Sequence, residues 1–343
     1  MKKVTYKSFV DIAKELNLTL EQCQDTEINI FINEYKDRAN TGDWYQFIDG
    51  NGICEINKIN GTQITTVLDN KDFDPEFPLN CDLNISNNCK IGCKFCYQGC
   101  SINGKHADIK KFINNKKSFL YTLHEGTELA INGNEPFHPD LELLLKFCKR
   151  RGILANLTVN EISLVSHTDI IEEYLKKGLI HGIGISPNIW SVPMLEFCEK
   201  HSTAVIHTIA GITTPEQYKC LYDKGTKILI LGYKNFGRGE DYLNEYVESI
   251  KDNMRWLEDN LKDIRKHFEV LSFDNLAIEQ LNPKSFLTKK EWEKFYRGDD
   301  GHHTLFIDLV NETFAKNSVQ PKENHKPLMN EIKDMLKSVK ENN

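Results

Sequence analysis

From about residue 78 the sequence alternates short apolar runs with stretches of helical length. This rhythm limits the folds open to the chain more than any other feature. Candidate strands are Asp82–Ser86, Glu128–Asn132, Ile153–Val159, Gly182–Ser186, Ala204–Thr208 and Lys227–Leu231. Candidate helices between them are Lys105–Tyr121, His138–Arg150, Asp169–Lys177, Val192–Lys200 and Pro215–Lys224. Parallel strands need long crossovers, so strands spaced by helices imply a parallel sheet. Six such units predict an α/β fold, an open or partial (β/α)6 TIM-like barrel. A long charged helix, Glu240–His267, and an apolar run, Phe268–Phe273, follow.

The flanks read differently. Residues 1–75 begin with an amphipathic segment, Phe9–Leu18, and continue with short β-like runs at Trp44–Ile48, Ile53–Ile56 and Gln63–Leu68. Asp49-Gly50-Asn51-Gly52 and Asn60-Gly61-Thr62 separate these runs with the turn residues hairpins favour, so a small antiparallel meander is expected. Residues 76–285 hold the barrel pattern. Residues 286–343 form a C-terminal α+β extension: a capping box at Thr288–Glu291 ahead of Trp292–Tyr296, a hairpin of Thr304–Val310 with Phe314–Val319, and a charged helix from about Leu328. The two extensions are expected to wall off an open barrel.

No apolar run approaches the ~18 residues a membrane helix needs, and no apolar stretch follows Met1-Lys2-Lys3 as in a secretory leader. The expected location is therefore cytoplasmic, away from membranes, where disulfides are rare. A net charge of −7 argues against an extended nucleic-acid surface. The lysines from Lys105 to Lys117 are a local exception, read as a solvated helix face or as an anionic-substrate contact. Of ten cysteines, seven are scattered (Cys23, Cys54, Cys81, Cys100, Cys148, Cys198, Cys220) and read as small buried residues.

Cys89, Cys93 and Cys96 are not scattered. They form C-x3-C-x2-C directly after the first candidate strand. Three closely spaced thiolates can ligate three irons of a cubane cluster, with Gly92 giving the loop its freedom. The fourth iron then lacks a protein ligand, and an open metal position is where chemistry happens. Three alternatives remain: a zinc site completed by Cys100, a four-thiolate electron-transfer cluster using Cys100, or chance clustering.

C-x3-C-x-aromatic-C after the first strand, with Phe95 as the aromatic residue, resembles the signature of the radical S-adenosylmethionine (SAM) superfamily. The resemblance covers roughly residues 80–235 and implies a [4Fe–4S] cluster on Cys89, Cys93 and Cys96 whose free iron chelates SAM. It further implies reductive cleavage to a 5′-deoxyadenosyl radical, with electrons from an external donor such as flavodoxin or ferredoxin. Gly133-Asn134-Glu135-Pro136 is similar to the family's Gly-Gly-Glu-Pro element, which holds the methionine ammonium; Asn134 stands in place of its second glycine. The family often places polar residues near the SAM ribose and carboxylate where Thr158, Asn160 and Ser186 close the third and fourth strands. On the fifth strand Ile209 and Gly211 match the family's G-x-I-x-G-x-x-E adenine element, while His207 and Thr214 replace its Gly and Glu. Gly232 ends the sixth strand, where backbone groups commonly meet adenine.

Beyond that resemblance the pattern is silent on the substrate. Lys234, Arg238 and Asp274 are polar residues amid apolar runs and are candidate substrate contacts; loop structure and helix capping are the plainer reading. His302 and His303 are adjacent, and neighbours on a strand point to opposite faces, which argues against a shared metal. No cysteine follows Cys220, so a cysteine-rich tail with auxiliary clusters is not expected. Two classes of function follow: an enzyme doing radical chemistry on a peptide, small metabolite or nucleoside-type substrate, or a non-catalytic scaffold stabilised by zinc or an iron–sulfur cluster.

Overall fold

A computed structural model describes residues 26–59, 61–67, 72–296 and 298–341. The expected helix Phe9–Leu18 lies outside the described residues. The chain divides into two compact units, residues 1–76 and 77–343.

The first unit carries helix α1 (Thr26–Thr41) and an antiparallel meander of β1 (Trp44–Asp49), β2 (Gly52–Asn57) and β3 (Gln63–Val67). Its buried carboxylate, Glu55, is answered by Arg38, whose Nε and Nη2 lie 2.8 and 2.6 Å from the two oxygens. Gln46 donates to the same group at 2.7 Å. A buried charge so paired avoids the cost of standing alone.

The second unit is a mixed α/β assembly on a ten-stranded, mostly parallel sheet. Its strands are β4 (Asn80–Asn84), β5 (Glu128–Gly133), β6 (Leu154–Asn160), β7 (Gly182–Ser186), β8 (Ala204–Ile209), β9 (Lys227–Leu231), β10 (Val270–Phe273), β11 (Thr304–Asp308), β12 (Thr313–Ala315) and β13 (Lys326–Pro327). The spatial order is β10-β9-β8-β7-β6-β5-β4-β11-β12-β13. Pairing is parallel from β10 through β4 to β11, and antiparallel from β11 through β12 to β13. Crossover helices are α2 (Ile109–Asn114), α3 (Leu141–Arg151), α4 (Glu161–Ser166), α5 (Thr168–Lys176), α6 (Val192–Lys200), α7 (Pro215–Lys219), α8 (Arg238–Ile264), α9 (Asn275–Leu281) and α10 (Lys289–Phe295); α11 (Ile332–Lys340) follows the last strand.

Side chains alternate across the sheet, as the period of two in a strand requires. Leu129, Ile131, Leu157, Val159, Ile183, Ile185 and Ile307 are buried in one apolar cluster, and Ile206, Ile228 and Ile230 in a second. Asp82, Asn132, Asn156, Thr158 and His207, out of phase with them, keep partial or full exposure. One face is thus apolar and the other largely polar. Because the strands are parallel, their carboxyl ends share one edge, and the loops leaving that edge carry most of the residues singled out in the sequence.

Several expected elements differ in extent. Lys105–Tyr121 is not one helix: α2 stops at Asn114, Asn115 caps it, and a short 3-10 turn spans Phe119–Tyr121 behind Ser118. Side chains of Asn and Ser compete with helical hydrogen bonds, which explains the break at this polar run. Pro215–Lys224 ends early, at Lys219. Helix α4 was not expected; the Asn160 side chain accepts from Ile162 N at 2.9 Å and starts it. The C-terminal strands are not set apart from the sheet, because β11 pairs with β4 over Thr304–Asp308. Among the described residues no helix is long and apolar enough to cross a membrane.

Candidate metal and cofactor site

The loop leaving β4 carries the cysteine triad, and its base is tied to neighbouring strand ends. Asn132, on β5, accepts from Ile85 N at 2.7 Å and donates to Ser86 O at 2.9 Å. Asn134 adds a second donor to Ser86 O at 2.6 Å. Across the base, Cys89 N reaches Ser101 O at 2.9 Å and Ser101 N reaches Asn87 O at 3.1 Å. Lys90 N donates to Glu135 O at 2.7 Å, joining the loop to the end of β5.

Inside this frame, Gly92 has φ +69. Cys96 N meets Cys93 O at 3.2 Å, closing a turn that brings two cysteines together. Cys89, Cys93 and Cys96 are partly exposed, whereas Cys54, Cys81, Cys100 and Cys148 are buried. Burial pushes the Cys93 thiol up to about 11, with Cys96 and Cys89 adding to the effect and Arg238 opposing it. Cys96 goes the other way: hydrogen bonding with Cys100 lowers its pKa against the pull of burial, again helped by Arg238.

The donor set fits an iron–sulfur or zinc centre in its chemistry: soft thiols, partly exposed, within electrostatic reach of one another on one short loop. Among the described residues no three His, Cys, Asp or Glu side chains are already gathered to hold a metal ion. Metal binding to thiol sites is commonly coupled to the folding of the loop that carries the ligands. Cys100 lies beside Cys96 and accepts from Asn134 Nδ2 at 3.8 Å, which gives the four-thiolate alternatives a structural footing as well.

The remaining strand-end residues have definite partners. Glu135 is only 4% exposed; its carboxylate meets Lys90 Nζ at 3.0 Å and His167 Nε2 at 3.0 Å. Burial alone would raise its pKa, but Lys90 and His167 outweigh burial and hold it below the ordinary value. Gly133 lies so close to β6 that an added Cβ would stand 2.8 Å from Val159 Cγ1. Thr158 and Ser186 are partly exposed at the ends of β6 and β7. Asn160 caps α4. Next to it, buried Glu161 accepts four backbone N–H groups: those of Asn188, Ile189 and Trp190 on Oε2 at 2.7, 2.7 and 2.9 Å, and that of Ser191 on Oε1 at 2.6 Å.

Around β8, Ile209 is partly exposed and Gly211 backs onto α8, where its carbonyl accepts from Asn253 at 3.0 Å. Thr214 forms a capping box with Gln217 at the start of α7. The His207 ring lies over Gly184 on β7; a Cβ there would come within 2.3 Å of His207 Cε1. Burial lowers its pKa to about 4, so this imidazole is neutral at pH 7.

The three candidate substrate contacts also have partners within the protein. Gly232 N donates to Asp274 Oδ1 at 2.8 Å, and Ala277 N donates to the same oxygen at 2.7 Å as Asp274 caps α9. Lys234 Nζ sits 4.0 Å from the centre of the Tyr97 ring and donates to Ser318 Oγ at 2.9 Å. Burial would lower its pKa, but Tyr97, Asp274 and Asp82 attract the cation and raise it. Arg238 holds the cysteine loop: its Nε donates to Cys93 O at 3.0 Å and its Nη1 to Cys100 O at 2.9 Å. Phe95 packs edge-on against Tyr242 of α8, with ring centres 5.9 Å apart.

Lys90, His167, Glu161 and Tyr97 were not legible as site residues in the sequence. Lys90 and Tyr97 lie within or beside the triad, and that adjacency was the only signal available. No known protein-family model matches the chain, and no curated protein matches it significantly.

Proposed function

We propose that this chain is a radical SAM enzyme, holding a [4Fe–4S] cluster on Cys89, Cys93 and Cys96 within a partial (β/α)6 TIM-like barrel. The observation that carries the reading is the partly exposed C-x3-C-x2-C loop at the carboxyl end of β4, tied to the Glu135 loop at the end of β5. Parallel α/β proteins place their chemistry at that edge. When bound, the cluster would supply reductive cleavage of SAM to a 5′-deoxyadenosyl radical.

A curled sheet is supported by contacts between distant strands. Arg238 follows β9, yet it donates to the loop that follows β4. These strands stand five intervals apart in the sheet order, about 24 Å if the sheet were flat. Asn275 after β10 likewise donates to Asp300, ahead of β11, at 2.7 Å. The sequential winding from β4 to β10 agrees, since right-handed crossovers that always advance in one direction keep their helices on one face.

The chain's own residues then have defined tasks. Glu135, ionised and carboxylate-bearing, is the acceptor for an ammonium group, with Lys90 as the exposed cation it must release. Asn132 and Asn134 fix the base of the cysteine loop through Ser86. Thr158, Ser186, Ile209 and Gly232 line the strand ends where the nucleoside would lie. His207 contributes a neutral polar surface at pH 7. The substrate is a small molecule or peptide, and an external flavodoxin- or ferredoxin-type donor supplies electrons.

The position of Cys100 beside Cys96 favours a second reading, a four-thiolate zinc or iron–sulfur centre in a non-catalytic scaffold. Anaerobic reconstitution separates the two. The enzyme reading expects a [4Fe–4S] spectrum whose reduced signal shifts on adding SAM, and 5′-deoxyadenosine on adding dithionite. A colourless protein with one tightly held zinc overturns it.

A further inference from the structure

We propose that Arg238 is a positioning residue that clamps the cysteine loop and raises the reduction potential of a cluster held there. This inference rests on the proposed function for its cluster, though the clamp itself is visible in the chain alone.

The geometry is specific. Arg238 is the first residue of α8, and its guanidinium reaches two carbonyls seven residues apart, Cys93 O and Cys100 O. Those carbonyls bracket Cys96, so one planar fork spans the stretch that carries the second and third thiols. A rigid fork suits this two-point grip better than the flexible ammonium of lysine.

The backbone around Arg238 is shaped for the approach. Gly237 precedes it with φ +57 and ψ −139, and a Cβ there would stand 2.4 Å from Tyr97 O. Gly239 follows, and its Cβ would stand 2.1 Å from Lys234 O. Tyr233 OH donates to Gly239 O at 2.6 Å, and Gln280 bonds the Tyr233 backbone in both directions at 2.7 and 2.9 Å. The turn bearing Arg238 is therefore itself held from behind. Edge-on packing of Phe95 on Tyr242 and of Tyr97 on Phe236 adds two apolar contacts between the same segments.

Charge gives the clamp its second effect. Reduction adds one negative charge to a cluster, and a fixed guanidinium beside its ligand loop stabilises the reduced form. Lys90, within the loop, is paired with Glu135, and Lys234 is held by Tyr97 and Ser318. Removing the guanidinium should shift the reduction equilibrium about tenfold toward the oxidised form, a fall of about 59 mV for one electron.

Two measurements on the full chain test this. Hydrogen exchange of residues 89–101 in metal-free protein should accelerate at least tenfold in Arg238→Met. The SAM-free cluster of the same variant, reconstituted anaerobically and titrated by spectroelectrochemistry, should show the lower midpoint. Arg238→Lys, which keeps the charge and loses the fork, should return the potential toward wild type while exchange stays fast. Wild-type exchange in Arg238→Met overturns the clamp, and an unmoved potential overturns the electrostatic role. Failure of the wild-type protein to assemble any cluster counts against the proposed function instead, and the exchange arm still decides the clamp.

Discussion

Replacing Glu161 with Gln should destabilise the second unit by about 3–5 kcal/mol. The wild-type carboxylate is 1% exposed and accepts four backbone N–H groups between Asn188 and Ser191. An amide offers one oxygen and one NH2 group. In its better orientation the oxygen serves the three donors on the Oε2 side, and the NH2 then faces Ser191 N–H. That strips the buried Ser191 N–H of its acceptor and sets a second donor against it, which costs about 1–3 kcal/mol. The other three bonds fall from charge-assisted to neutral, roughly halving their strength. The total is a large share of the ~5–15 kcal/mol that holds a typical domain. Burial would raise the pKa of Glu161, but its hydrogen bonds outweigh burial and hold it below the ordinary glutamate value. Its contribution is therefore present above the unfolded-state pKa and is lost as pH falls through the lower folded-state value. Urea unfolding of wild type and Glu161→Gln at pH 7 should show a lower midpoint with an unchanged slope. A loss under about 1 kcal/mol would refute the four-donor account of this loop.

Other outcomes follow from the same contacts. Cys93→Ala should lose the intact cluster and SAM cleavage, whereas Cys100→Ala should keep the cluster; iron and sulfide assays with visible spectra check both. Gly237→Ala should cost roughly 1–3 kcal/mol, because its positive φ and the approach to Tyr97 O both oppose a side chain; thermal melting reads this. His207, with a folded-state pKa of about 4 against an unfolded value near 6.5, should withdraw about 1–3 kcal/mol of stability as pH falls from 6.5 to 4, after allowance for its partial exposure. His207→Phe should flatten that part of the urea-midpoint profile, and an equally steep profile would show that another group titrates.

The strand–helix rhythm was legible because apolar runs such as Lys227–Leu231 and Gly182–Ser186 are short, branched and bounded by breakers. Both strands span those same residues in the structure. Helix ends were harder, since Asn115 and Ser118 divide a stretch whose lysines and apolar residues alone suggest one helix. Long-range pairing was not legible: nothing local in Thr304–Asp308 says it will lie beside β4, more than two hundred residues away. The triad stood out because three cysteines fell at tight spacing. Arg238 stood out only as a charge in a glycine-flanked turn, and sequence alone could not show that its partners are Cys93 O and Cys100 O. The same limit hid Glu161, whose four donors come from a loop 27 to 30 residues further along the chain.

Iron and acid-labile sulfide, quantified together with SAM cleavage on the anaerobically purified protein, address the central proposal most directly. The account expects about four irons and four sulfides per chain, a reduced spectrum that responds to SAM, and 5′-deoxyadenosine formed only when Cys89, Cys93 and Cys96 are all present. Protein free of iron and sulfide after reconstitution, or a cluster indifferent to SAM and dependent on Cys100, would contradict it.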